Sequence, residues 1–210
     1  MSTFTIPESV FLYYNDKAVM AAVEHLLGEK KESLPGVDDW SDLPAYYRAR
    51  LSAYQCQADH ALMLHDLWNA IWQPAIDAEP RLAGATRVSL ADYPGEYGQS
   101  LDVGGMWLEG GIGSAFTLPS GFLIDVNVYC TTGVMIGCAA WNEAGKIDTD
   151  TLDIGNALSA SKQEATLLGY EDGYRYTPAK SVPLTSQQID LAPLKSAAAR
   201  VIAAVAEKAT

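Results

Sequence analysis

The stretch from Leu101 to Trp141, LDVGGMWLEGGIGSAFTLPSGFLIDVNVYCTTGVMIGCAAW, decides the fold. It is rich in glycine, aromatic and β-branched residues, and it contains no lysine or arginine. Its clearest strand pattern runs over 122–131, where polar and apolar residues alternate. Short turn signals separate this segment from strand patterns at 114–118 and 134–141, so successive strands are expected to pair antiparallel. The stretch therefore predicts an antiparallel meander sheet.

Helical patterns lie on both sides of this region. Apolar residues recur at helical spacing over 18–28, 41–73 and 191–205. On the middle and longest segment, eight residues follow one another at alternating spacings of four and three, namely Tyr47, Leu51, Tyr54, Ala58, Ala61, His65, Trp68 and Trp72. We expect them to form one continuous face, with Tyr54, Trp68 and Trp72 in the core. Pro74 is expected to kink or end this helix.

The order of the predicted elements indicates the fold class. The apolar run at 10–14 (VFLYY) is read as a buried strand that precedes the first helix. A strand, two helices, a run of strands and a final helix predict an α+β fold: an antiparallel meander sheet, with a long helix and terminal helices packed mainly on one face. Asp190 is expected to cap the final helix, and a hairpin is expected around 171–173. The length suits a single domain over 1–210.

The chain carries a net charge of −12. Residues 1–80 contain 12 acidic and 5 basic residues, residues 81–150 contain 8 and 3, and residues 151–210 contain 6 and 6. Binding to nucleic acid requires clustered lysine and arginine, and docking on an anionic membrane surface has the same requirement. The charge argues against both partners and favours a basic protein, because opposite fields speed the encounter.

Cysteine content and hydropathy indicate a cytoplasmic location. The chain has three cysteines, an odd and modest number that fits a reducing compartment. Its first residues, MSTFTIPESV, lack the basic region and long apolar run of a secretion signal. No apolar stretch reaches about 18 residues, so we expect no transmembrane helix.

The sequence supports neither a metal nor a cofactor. Cys56 and His60 lie one helical turn apart and could be two metal ligands. A two-residue turn at 132–133, however, would place Cys130 and Cys138 on opposite faces of the sheet, and no CxxC or HExxH motif completes a site. Motifs for a phosphate loop, a dinucleotide fold and a nucleophilic serine are also missing from the sequence.

An enzymatic alternative rests on carboxylates in the sheet region. His65 could act as an acid or base beside Asp125 or Glu109, in a cleft between helix and sheet, as in a small hydrolase. The simpler interpretation is that Asp125, Asn127 and Tyr129 form the polar, solvated face of a sheet that is buried on its other side.

The favoured interpretation is a non-catalytic protein that binds and inhibits a basic protein partner. A toxin-neutralising protein, or a mobile-element inhibitor of a host defence, would have these properties. The residues expected to face that partner are acidic or aromatic members of the sheet region: Asp92, Glu96, Asp102, Glu109, Asp125 and Tyr129. A homodimer that buries the sheet is left open as an alternative.

Overall fold

The computed structural model describes residues 3–28, 38–88, 101–102, 107–108, 111–130, 133–142, 145–146 and 177–209. The α-helices in these ranges are α1 (Glu8–Asn15), α2 (Lys17–Leu27), α3 (Leu43–Asp77) and α4 (Ala192–Ala209), and a short 3-10 helix covers Pro80–Leu82. The strands are β1 (Thr3–Thr5), β2 (Thr86–Arg87), β3 (Leu101–Asp102), β4 (Trp107–Leu108), β5 (Gly111–Thr117), β6 (Leu123–Cys130), β7 (Gly133–Asn142), β8 (Gly145–Lys146), β9 (Thr177–Pro183) and β10 (Gln188–Asp190).

The central sheet is an antiparallel meander. Its order is β3-β4-β5-β6-β7-β8, while β2 pairs with β5 and β9 pairs with β7. All of these pairs are antiparallel. The strands β5, β6 and β7 form its middle, as the alternation and turn signals predict. The fold class expected from the sequence, α+β with an antiparallel sheet, is confirmed.

One face of the sheet packs against the helices. On β6 this face carries Ile124, Val126 and Val128, which belong to the same buried cluster as residues of α3 and α4. The Trp68 indole donates a hydrogen bond of 3.1 Å to the carbonyl oxygen of Val126, and the Trp72 indole donates one of 2.9 Å to that of Asn127. Both indoles are fully buried. The second half of α3 is therefore fixed to the central strand by packing and by two hydrogen bonds.

The helix α3 begins close to the predicted position but runs past the proline. Pro44 stands in its first turn, as expected, whereas Pro74 lies inside the helix, which ends at Asp77. A proline removes one backbone donor, yet the last turn still closes because the Ala78 amide donates to the Pro74 carbonyl at 3.2 Å. Ala75 beyond the proline is buried, so packing holds this last turn in place.

The N-terminal strand prediction is wrong. Residues 10–14 lie in α1, where Val10 is buried and Phe11 and Tyr14 pack against the core. These three positions lie on one side of a helix, which a dense apolar run of five residues cannot distinguish from a strand. The following helix, α2, is capped by Asp16, whose side chain accepts from the Ala18 amide at 2.8 Å.

A second, two-stranded sheet joins the beginning and the end of the described chain. The strands β1 and β10 pair antiparallel, with Phe4 opposite Ile189. The sequence does not predict this small sheet, because each of its strands has only three residues. The predicted cap of α4 is confirmed, since the Asp190 carboxylate accepts from the Ala192 amide at 3.0 Å.

The cysteines of the sheet lie on the same face. Cys130 is paired with Val134, and Cys138 is paired with Val126. The register differs by one residue from the one that a two-residue turn would give, and a shift of one residue moves every side chain to the other face. Both thiols consequently lie in the core on the helix side. The predicted hairpin at 171–173 lies outside the described residues.

Candidate functional site

The structure describes only three of the six residues expected to face a partner. Asp92, Glu96 and Glu109 lie outside the described residues. Asp102 stands in β3, and its backbone is paired with that of Trp107 in β4. These four acidic residues remain predictions as partner contacts.

The other two residues of the predicted set are buried. Asp125 is 0% exposed and Tyr129 is 7% exposed. A β-carbon at Gly111, directly opposite Tyr129 in β5, would overlap the tyrosine ring, which lies across that glycine. The expectation of a solvated polar face is wrong, because this second face of the sheet is buried as well. Alternation of polar and apolar residues shows which side chains share a face, but not whether that face meets water.

Asn127, between these two residues, is a buried amide with an unusual environment. Its neighbours across both adjacent strands are glycines, Gly113 and Gly137. Among the residues that the structure describes, neither the side-chain Nδ2 nor the side-chain Oδ1 of Asn127 takes part in a hydrogen bond, although its backbone carbonyl accepts from Trp72. An unpaired buried amide costs free energy.

The structure does not bring together His65 and Asp125 of the hydrolase alternative, and its third residue, Glu109, lies outside the described residues. His65 lies on α3, which packs on the face of the sheet that carries Val126, whereas Asp125 projects from the opposite face. His65 is also partly exposed, and its Nδ1 lies 3.4 Å from the carboxylate of Asp66. It is therefore neither a core histidine nor the partner of Asp125.

The histidine that is enclosed is His60. Its Nε2 lies 2.9 Å from the hydroxyl of Tyr14 on α1. Burial lowers the pKa of His60, and burial raises the pKa of Tyr14. One turn earlier on α3, the Cys56 thiol contacts the Ser9 carbonyl oxygen at 3.5 Å. Cys56 and His60 do share a face, but this face packs against α1.

Burial also explains the state of the thiols in the sheet. It raises the pKa of Cys130 to about 12 and raises that of Cys138 still further from its ordinary value. Thiols with such pKa values are protonated at neutral pH and are poor nucleophiles. Within the described ranges, no group of three or more His, Cys, Asp or Glu residues is arranged to hold a metal ion.

A cavity of about 340 Å³ opens beside β2 and β5. Its lining includes the cross-strand pair Thr86 and Thr117 and also Arg87. The Arg87 guanidinium lies 5.3 Å from the ring centroids of both Trp68 and Phe116. This cation–π arrangement anchors the arginine to the edge of the core.

The most exposed apolar surface lies on the first half of α3. Tyr47 is 58% exposed, Leu51 is 68% exposed and Tyr54 is 45% exposed. Together with the exposed Ala58 they follow one another at spacings of four, three and four, and we call these four residues the α3 row. Leu62 on the same helix is exposed to a similar degree, and Trp40, just before the helix, is 86% exposed. Contiguous exposed apolar surface marks interaction sites.

The α3 row is the outward extension of the face that binds the sheet. Trp68 and Trp72 continue its four–three spacing and are fully buried. At 1.5 Å per residue, Tyr54 lies about 21 Å along the helix axis from Trp68. The opposite side of the first half, including Ala53 and Cys56, is buried. On one side, the first half of α3 thus packs against the N-terminal helices. Among the described residues, none covers its other side, which continues the face that meets the sheet in the second half of the helix.

Of this row, Tyr54 was predicted to lie in the core, and the length of the helix is the signal that could have corrected this prediction. A helix of 35 residues is about 52 Å long, whereas a globular chain of 210 residues is about 43 Å across. Such a helix cannot be covered along its whole length by its own domain. The apolar spacing of four and three continues along the exposed half of the helix, so this spacing does not show where burial by the rest of the chain ends.

The described helices before β2 are strongly acidic. Residues 3–28 and 38–79 contain 10 acidic and 3 basic residues, a net −7, whereas residues 177–209 contain 2 acidic and 4 basic residues. At the start of α3, Asp42 accepts hydrogen bonds from the amides of Asp38 and Asp39 at 2.9 and 3.2 Å. The α3 row therefore lies in the acidic part of the molecule.

Comparison of the chain with protein-family models, with curated proteins and with solved structures finds no match. None of the helices in the described part of the chain combines the length and the apolar composition that a bilayer span requires.

Proposed function

We propose that this protein binds a basic protein partner through the α3 row and the acidic surface around it, and that it inhibits that partner by occupying its surface. The observation that carries the proposal is the exposure of Tyr47, Leu51 and Tyr54 on one helix face. Tyrosine, tryptophan and arginine contribute most of the binding energy at protein interfaces, particularly near the centre of the contact. The role would be that of a toxin-neutralising protein or a mobile-element inhibitor of a host defence.

Charged side chains lie around the apolar α3 row. The Arg50 guanidinium is held by the hydroxyls of Tyr46 and Tyr54, at 2.9 and 3.2 Å. Acidic residues stand before the row at Asp38 and Asp39 and beyond it at Asp66. An apolar centre with a polar rim is the usual anatomy of an interface, and complementary charge speeds and orients the encounter.

The experiment is affinity capture from an extract of the native host with the tagged chain at about 50 mM and at about 300 mM NaCl. We expect one basic protein to be retained and its retention to decrease at the higher salt concentration. Leu51→Ser should abolish capture. Leu12→Ser is the matched control, because Leu12 is an exposed leucine on α1 and not part of the α3 row.

The purified partner would then be assayed for its own activity with and without the protein. Dose-dependent loss of that activity with the wild-type chain, but not with Leu51→Ser, is the expected result. The proposal is overturned if no protein is retained at low salt, if the retained protein is acidic, or if Leu51→Ser and Leu12→Ser capture it equally well.

A further inference from the structure

The α3 row has the spacing of a coiled-coil seam. Tyr47, Leu51, Tyr54 and Ala58 are separated by four, three and four residues, which is the repeat of the two apolar positions of a heptad. The same repeat continues through Ala61 and His65 to the buried tryptophans. A side chain pattern of this type is complementary to a second helix lying almost parallel to the first.

The charges beside this seam change sign along α3. Asp38, Asp39 and Asp42 precede the row, Arg48 and Arg50 lie beside its first members, and Asp66 lies beyond its end. At 100° per residue, Arg48 and Arg50 fall on opposite flanks of Tyr47. Asp59 accepts hydrogen bonds from Ser9 on α1 and from Gln55 at 2.6 and 2.7 Å, so this carboxylate faces α1 and not the row.

From this arrangement we infer that the partner's docking element is an amphipathic α-helix lying along the α3 row, with basic residues at both ends and acidic residues in its middle. The inference rests on the proposed function and specifies the chemistry of the docking segment. The α3 row from Tyr47 to Ala58 is about 17 Å long, so a helix of about three heptads covers it with about one turn beyond each end. The charges of the docking helix, in the order basic, acidic and basic, complement the acidic, basic and acidic groups over residues 38–66.

The test uses two synthetic amphipathic peptides of about 21 residues, with the same amino-acid composition and the same apolar heptad positions. The first has lysines at both ends and glutamates in the middle, and the second has the reverse order. Both have the same net charge, so a difference in affinity reports the order of charges alone. Affinity is measured by fluorescence anisotropy with the full chain.

We expect the peptide with lysine ends to bind about tenfold more tightly than the reversed peptide. The double variant Arg48→Glu, Arg50→Glu should reduce this preference to less than about threefold, because it removes the basic centre of the charge pattern while the acidic groups at both ends remain. Leu51→Glu should abolish binding of both peptides, while Leu12→Glu, the matched control on α1, should leave binding unchanged. Circular dichroism confirms that each variant is folded.

Three results overturn the inference: equal affinity for the two peptides, no binding of either peptide, or binding that survives Leu51→Glu. A wild-type chain that sediments as a dimer and becomes a monomer on Leu51→Glu would show that a second copy of the chain occupies the seam. If affinity capture still retains a partner through the α3 row while neither peptide binds, the proposed function stands and the helical docking element is wrong.

Discussion

At the scale of single residues, the buried polar groups of the protein differ in how well they are paired. Asn127 is 1% exposed, and its amide makes no hydrogen bond within the described part of the chain. Asn69 on α3, by contrast, is half-buried and has its amide nitrogen 3.2 Å from a ring nitrogen of His65. Removing an unpaired buried group and removing a paired one should have opposite consequences for stability.

We therefore predict that Asn127→Leu raises the free energy of unfolding by about 1 kcal/mol, because it replaces an unpaired amide by an apolar group of similar size. Asn69→Leu, the matched control, should lower it or leave it unchanged. Urea denaturation of the two variants measures both effects. A lower unfolding midpoint for Asn127→Leu would show that this amide is paired or has a function.

His60 makes stability depend on pH. Burial lowers its pKa in the folded protein below the ordinary value of about 6.5, so the unfolded chain binds the proton more tightly. The stabilisation from the neutral histidine is fully present above about pH 6.5 and is lost as the pH falls through the folded-state pKa. We predict that the free energy of unfolding falls from pH 6.5 towards pH 5.

The variant His60→Gln tests this assignment. It keeps a group able to hydrogen-bond to the Tyr14 hydroxyl and removes the titration, so its stability should change less over the same pH range than that of the wild type. Denaturation at several pH values measures these slopes, and equal slopes for His60→Gln and the wild type would contradict the assignment.

At the scale of elements, the two halves of α3 differ in their contacts. The half with Trp68 and Trp72 holds the sheet, and the half with the α3 row is free of internal cover on one side. We predict that Trp68→Ala lowers the free energy of unfolding by about 3–5 kcal/mol, through lost packing and the lost hydrogen bond to Val126. Leu51→Ser should change it by less than about 0.5 kcal/mol, since a substitution at an exposed site removes little packing.

Chemical denaturation of the two variants provides the comparison. Comparable losses of stability would mean that Leu51 is packed in solution, and the proposed docking surface would then be occupied by the chain itself. A large loss in Trp68→Ala alone would show that the same helical face serves the core at one end and a partner at the other.

The elements were predictable where a long periodic pattern or a capping residue defines them. The main strands β5 to β7, the start of α3 and the cap of α4 at Asp190 follow from alternation, from the proline in a first turn and from an aspartate before an apolar helix. The segment at 10–14 was not predictable, because five apolar residues fit a strand and a helix equally well. The exposure of the α3 row depends on where the sheet stops, which is a property of tertiary packing.

At the scale of the whole molecule, charge is segregated along the chain. The helices before β2 contain 10 acidic and 3 basic residues over 3–28 and 38–79, and like charges so close together repel. We predict that raising the NaCl concentration from about 10 to about 300 mM increases the free energy of unfolding by an amount on the order of 1 kcal/mol.

The control is the double variant Glu8→Gln, Asp66→Asn, which removes two exposed carboxylates from this acidic part. Its stability should respond less to salt than that of the wild type. Measurements with KCl in place of NaCl separate screening from binding of a specific ion. A wild-type protein that loses stability as salt increases would show that attractive ion pairs dominate over repulsion.

The pairing of β1 with β10 has a consequence for how the protein acquires its structure. The Gln188 side chain donates a hydrogen bond to the Thr5 hydroxyl across 183 positions of sequence. During synthesis, Thr3–Thr5 leaves the ribosome long before its partner strand exists, and closing so long a loop is entropically costly. The Ile6 amide, which donates to the Gln187 carbonyl at 2.8 Å, should therefore acquire protection late in pulse-labelled refolding, after the amides of β5 and β6.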